Sequence, residues 1–302
     1  MAETATKMDM SNANTLEKPS ASASQLAAEL KELISLPDVY LRLQQVMRSD
    51  EASMNKVAEV LTLDPALVAR LLRIANSALY SFPSRVDTVT RAINILGLHQ
   101  VHDLVLATSV AKAFAGMDNA VLDMRTFWYR SVQCGILART LAEGAGMEGG
   151  ESLFVRGLLY DLGHLVLYHH YPEQCRAALA ESGGEYGVLT QAERRRIGCD
   201  ATMLTAELMR TWQLPAIFAQ SYDYLDDPQH APEQRREIAI LHIATAITRG
   251  LDTDLLLEEI VERIPARIWK LVELPPEVAT HAMDAATLEL IDAMYRVLAG
   301  GD

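Results

Sequence analysis

The sequence predicts an all-α protein. Three observations carry this expectation. From about Gln25 onward, apolar residues recur at steps of three and four. The runs are punctuated by Pro, Gly and short polar clusters, and alternating β-branched stretches bounded by two-residue turns are absent. Half of the 302 residues are hydrophobic and 22% are charged, which leaves enough apolar surface for one large core or two packed subdomains.

Residues 1–22 are rich in Ala, Ser, Thr, Asn and Met without periodicity, and a disordered tail is expected there. Ser53 is placed to cap a helix running through Val60. Asp64 followed by Pro65 opens a second helix over 66–75, because a Pro at the first helical position gives up an N–H that would lack a partner anyway. Asn76 and Ser77 end that helix with short side chains able to bond the freed backbone groups, and Asn tolerates a left-handed conformation. Gly97 suits the position just past a helix C-terminus. Asp200 caps a helix over 201–209, which ends at Trp212-Gln213-Leu214-Pro215, where the Pro closes one helix and begins the next. Further helices are expected over 233–248, 254–272 and 277–298, the last two separated by Pro275-Pro276. The chain thus divides softly into a helical domain over 25–230, with parts at 25–115 and 120–230, and a C-terminal extension over 233–302. In the last helix, Leu288, Leu290, Ile291, Met294 and Val297 form an apolar face suited either to the chain's own domain or to a two-fold interface, which leaves a homo-oligomer open.

A formal charge of −13 repels polyphosphate backbones, so no nucleic-acid partner is expected. No stretch is apolar for the ~18 residues that a membrane span requires, and the N-terminus has no apolar core of a signal peptide. Cys134, Cys175 and Cys199 are irregularly spaced and read as small buried hydrophobes in a reducing cytoplasm. Gly-x-Ser-x-Gly, GxGxxG and Walker loops are all missing. The basic runs Arg194-Arg195-Arg196, beside Glu193, and Arg235-Arg236 offer either a small patch for an anionic ligand or partner, or a solvated helix face.

One further set of landmarks carries a family resemblance. Leu36-Pro37 with Val39 and Leu41, Asp64-Pro65-Ala66-Leu67, Ala75-Asn76-Ser77-Ala78 with Tyr80, and Ala92-Ile93 with Leu96-Gly97 occur in that order. Trp128 with Ser131, the segment Gly157-Leu158-Leu159-Tyr160-Asp161-Leu162-Gly163-His164, expected on one helix, and Trp212 with Leu214-Pro215 follow. From about Ile34 to Asp227 the chain resembles the HDOD domain, a catalytically silent relative of HD phosphohydrolases in bacterial signalling proteins. The resemblance places a metal-binding His just before Ser131 and another just before Asp161. Here those positions hold Arg130, a fixed cation, and Tyr160, whose phenol stays protonated at neutral pH. The roles expected of Asn76, Ser77, Trp128, Ser131, Gly163 and Trp212 are structural.

What the resemblance implies is a non-catalytic regulatory scaffold with no cofactor and no bound metal. It would act on partner proteins, with a small anionic ligand as a further option in the altered cavity. A buried Asp161 must pair or stay neutral, and Arg130 is the partner expected for it. The alternative is a metal-dependent phosphohydrolase with an unusual ligand set drawn from Asp161, His164 and Asp200 or Asp223. His169 and His170 are expected at a solvated helix end before Pro172.

Overall fold

The helix starts that the sequence marks with a polar cap are helix starts in the structure, a computed structural model that describes residues 22–33, 36–49, 53–76, 85–114, 117, 119 and 121–298. Ser53 Oγ accepts from Lys56 N at 3.3 Å, Asp64 Oδ1 from Leu67 N at 3.0 Å, and Asp200 Oδ1 from Met203 N at 2.8 Å. Each such cap satisfies one of the N–H groups that a helix leaves open, worth about 1 kcal/mol. Among the described residues there is no strand.

The first helices are α1 (Ala23–Leu33), α2 (Asp38–Arg48), α3 (Met54–Thr62), α4 (Pro65–Ala75), α5 (Val89–Leu96) and α6 (Leu98–Phe114). They are followed by α7 (Met124–Gly144), α8 (Gly150–Leu158), α9 (Leu162–His170), α10 (Pro172–Ser182), α11 (Tyr186–Arg196), α12 (Ala201–Thr211) and α13 (Ala216–Asp223). A 3-10 turn over Pro228–His230 leads to α14 (Arg235–Gly250), α15 (Leu257–Arg263), α16 (Ala266–Val272) and α17 (Val278–Leu298). α6 and α7 are the spine, buried on nearly every face. A helix with no polar face has to be covered all round. α6 is covered by α2, α4, α5 and α8, and α7 by α8, α14 and α17. One apolar cluster runs from Ala23 to Leu290, so the last helices share the core of the earlier ones.

Three sequence expectations need adjusting. The helix expected over 254–272 is two helices, because Ile264 precedes Pro265 and takes an extended ψ of 122°. The segment Gly157–His164 does not lie on one helix: Leu159, Tyr160 and Asp161 form a turn between α8 and α9. On either side of that turn a glycine holds its helix against a different neighbour. A Cβ on Gly157 would lie 2.7 Å from Gly135 Cα in α7, and one on Gly163 would lie 1.9 Å from Ala201 O in α12. Asn76 ends α4 at φ −95°, outside the left-handed region. It does so by bonding, with Nδ2 donating to Leu72 O and Val86 O at 2.6 Å and Oδ1 accepting from Val86 N at 2.8 Å. Gly97, at φ +89°, sits where the sequence placed it, past the end of α5.

Ser77 and residues 1–21 lie outside the described residues, as do the side chains of Ile291, Met294 and Val297. Leu290 is buried and Leu288 is exposed. The three cysteines are buried free thiols, and burial pushes each up to about 12. No helix among the described residues is long and apolar enough to cross a membrane.

Candidate functional site

The turn between α8 and α9 delivers Tyr160 and Asp161 into the interior, and the first turn of α9 brings His164 back towards them. His164 Nδ1 lies 2.6 Å from Asp161 Oδ1. On its other side, Nε2 lies 3.1 Å from Glu193 Oε1 of α11, an ion-pair contact without hydrogen-bond alignment. Burial alone would push the imidazole down, but the two carboxylates outweigh it and raise His164 to about 10. The ring stacks on Tyr168 at 5.1 Å between centroids and meets Tyr186 edge-on at 6.5 Å. A proton held this way makes both ring nitrogens donors, which leaves no lone pair for a metal.

Glu193 is fully buried, although it neighbours the basic run Arg194–Arg196 and the sequence offered that stretch as a patch or a solvated face. The three arginines are paired outward: Arg194 with Asp200, and Arg195 and Arg196 with Glu181. The run therefore presents little free positive charge. α12 closes the floor, where Gly163 N donates to Thr205 Oγ1 at 2.9 Å and Tyr186 Oη lies 2.7 Å from Thr202 Oγ1.

The structure corrects the partner expected for Asp161. Arg130 does not reach it. Its Nη2 lies 2.7 Å from Asp252 Oδ1 beyond the end of α14, at the partly exposed edge of the site. The geometric reason is that Arg130 and Ser131 leave α7 in different directions, with Ser131 fully buried and Arg130 about a third exposed. The cation that faces the interior is Arg249 of α14, a residue that sequence reasoning passed over. Its guanidinium lies 3.5 Å from the ring centroid of Tyr186 and 5.3 Å from that of Tyr160. Burial lowers its proton affinity, but the net shift is upward because Tyr186, Asp161, Tyr160 and Asp226 are close. Tyr160 is buried, and burial first, then Asp161, raises its phenol well above the usual range.

Of the alternative ligand set, Asp161 and His164 are brought together, while the other two acids are committed elsewhere. Asp200 caps α12 and pairs with Arg194, while Asp223 pairs with Arg210 at the surface. Among the described residues, no three His, Cys, Asp or Glu side chains are arranged to hold a metal ion. His169 and His170 are exposed at the end of α9, as expected. Trp128 and Trp212 are buried anchors, meeting Phe127 and Phe114 edge-on.

Other buried polar residues went unnoticed in the sequence. Arg156 is buried in α8, with Nη1 donating to Ser221 Oγ at 3.1 Å, and desolvation lowers it to about 10. Tyr40 Oη and His102 Nε2 lie 3.1 Å apart, with His102 Nδ1 3.1 Å from Asp103 Oδ1. Gln44 Nε2 donates to Gln213 O at 2.8 Å, tying α2 to the loop after α12. The buried pairing of residues far apart in sequence leaves no local signal, so only Asp161 carried a hint, as an acid inside an otherwise apolar segment.

The chain is thus an all-helical protein in which a helix break presents an acid and a nearby histidine to the interior. The match is specific: the HDOD domain aligns with residues 33–228, and the chain belongs to that family. The fold is similar to that of an HDOD domain protein of unknown function from Geobacter sulfurreducens, at 21% identity and a TM-score of 0.69, covering 91% of this chain and 98% of that one. A Shewanella amazonensis protein whose name proposes a phosphohydrolase is similar at 23% identity and a TM-score of 0.70, covering 90% and 97%. A Marinobacter aquaeolei protein whose name proposes signal transduction is similar at 19% identity and a TM-score of 0.66, covering 90% of this chain and 61% of that one. In sequence, an uncharacterized Treponema pallidum protein is 23% identical over 249 residues, and the match spans 79% of this chain but only 46% of that relative.

Proposed function

We propose that this chain is a non-catalytic signalling scaffold of the bacterial cytoplasm that acts by holding partner proteins. Its HD-type site is degenerate. The observation that carries the reading is His164 between Asp161 and Glu193. Two carboxylates that could have faced a divalent cation instead enclose an imidazolium, so half of their charge is already met by the chain. Arg249, on the other side of Tyr160 and Tyr186, adds a second fixed positive charge that repels a metal ion. Tyr160, kept protonated by burial, offers a poor metal ligand. The name of the Marinobacter protein is in keeping with a signalling role.

The experiment is metal analysis after mild purification, together with an assay on bis(p-nitrophenyl) phosphate in added Mn²⁺. A scaffold is expected to carry far less than one ion per chain and to leave the ester intact. Stoichiometric Mn, Fe, Zn or Ni that disappears in Asp161→Ala, with hydrolysis of the ester, would overturn the reading in favour of the phosphohydrolase that the name of the Shewanella protein proposes. Co-purification from the native cell then identifies what the scaffold holds.

A further inference from the structure

Tyr186, which meets His164 edge-on, also lines a cleft of about 360 Å³ between the start of α11, the C-terminal half of α14, and α15. A volume of this order suits a small organic molecule. Much of the lining is apolar: Ile260 and Ile264 are buried in its wall, and Ala246 and Leu255 add to it. Its most unusual feature is His242, partly buried in α14. Nδ1 lies 2.8 Å from Leu225 O, and a carbonyl only accepts, so Nδ1 carries the proton of the ring. Burial, the largest influence, pushes the imidazole down, so the ring is neutral at pH 7 and Nε2 keeps its lone pair. Among the described residues no donor meets that lone pair, and unlike Nε and Nη2 of Arg249 it is not sealed in the interior. It opens on the cleft that His242 lines. An acceptor half withdrawn from water is costly to leave unmet, and a ligand with a donor would meet it.

We propose that this cleft binds a small neutral molecule with an apolar body and one N–H or O–H donor, the donor on His242 Nε2 and the body against Ile260 and Ile264. Neutrality follows from the wall. Arg249 and Arg263 offset Asp226 and Glu185, so a ligand with a net charge of either sign finds no counter-charge to spare. Asp226 and Glu185 stand at exposed positions, where water serves them. The hydroxyls of the lining are already committed: Tyr186 Oη lies 2.7 Å from Thr202 Oγ1, and Thr245 Oγ1 donates to His242 O at 3.0 Å. One unmet acceptor beside an apolar wall therefore matches a ligand with one donor. The site uses none of Asp161, His164 and Glu193, so either outcome of the metal analysis leaves it standing.

The full chain is titrated with indole by calorimetry, while the histidine ring nitrogens are followed by long-range ¹H–¹⁵N NMR. Indole is expected to bind and to move the lone-pair nitrogen of one histidine, the one whose resonance is missing from His242→Phe. 1-Methylindole, whose donor is blocked, is expected to bind about ten-fold more weakly, as loss of a hydrogen bond to a half-buried acceptor requires. Indole-3-carboxylate and tryptamine, an anion and a cation on the same body, are expected to bind more weakly than indole. His242→Phe should lower indole affinity by about ten-fold on the same ground. Ala246→Leu, which narrows the cleft and keeps His242, should weaken indole as well and serves if His242→Phe does not fold. No binding of indole at millimolar concentration, an unmoved His242 Nε2, 1-methylindole equal to indole, tighter binding of either charged analogue, or affinity unchanged in the variants would each overturn the proposal.

Discussion

Arg130 Nη2 lies 2.7 Å from Asp252 Oδ1, with 32% and 36% of the two side chains exposed. The pair ties the first half of α7 to the segment after α14 at the surface, where water and salt weaken it. Burial raises Asp252 to about 6 against the pull of Arg130, so the pair does not recover what burial costs the acid. Arg130→Ala is therefore expected to cost no more than about 1 kcal/mol. Urea denaturation checks this; a loss of several kcal/mol would mean that Arg130 is engaged in the interior after all.

His164→Ala should be far more damaging. It leaves Asp161 and Glu193 facing one another in the interior with no cation between them, and breaking a buried charge arrangement from one side costs about 3–5 kcal/mol. Adding Glu193→Gln to His164→Ala removes one of the stranded charges and should recover part of the loss. A double-mutant cycle reads the coupling directly; strictly additive effects would show that the two residues do not interact.

The same group sets a pH dependence. His164 binds its proton more tightly in the folded chain, near 10, than in the unfolded one, near 6.5. Its contribution is therefore complete below about pH 6.5 and declines as pH rises towards 10, because over that interval the folded state holds a proton that the unfolded state has released. Thermal melts from pH 6 to 10 should show this decline, and it should be absent from His164→Ala. A wild-type chain whose stability rises over that range would contradict the ion-paired imidazolium.

Gly163 and Gly187 offer a contrast between two glycines that the sequence cannot tell apart. A Cβ on Gly163 would lie 1.9 Å from Ala201 O, which is backbone and cannot swing aside. Gly163→Ala is expected to force α9 from α12 at a cost of about 3 kcal/mol or more. Gly187, in the first turn of α11, has nothing within 4 Å of the same atom. Gly187→Ala should be neutral or stabilising by up to about 1 kcal/mol. Denaturant midpoints of the two variants test the pair together.

The sequence by itself determined the helices and many of their ends. Ser53, Asp64 and Asp200 act on N–H groups three residues away, Pro265 on the residue before it, and Gly97 on its own backbone, so their effects are written within a few residues of themselves. The order of such landmarks from Leu36 to Pro215 also carried the family. The partner of Arg130, the burial of Glu193 and the interior position of Arg249 were decided only when helices crossed. Which face of a helix turns inward, and whose side chain it meets, depends on close approaches such as Gly157 on Gly135 and Gly163 on Ala201. Charges then pair with whatever the packing brings within reach, because Coulomb attraction in a poorly hydrated interior follows distance in space and is blind to position along the chain.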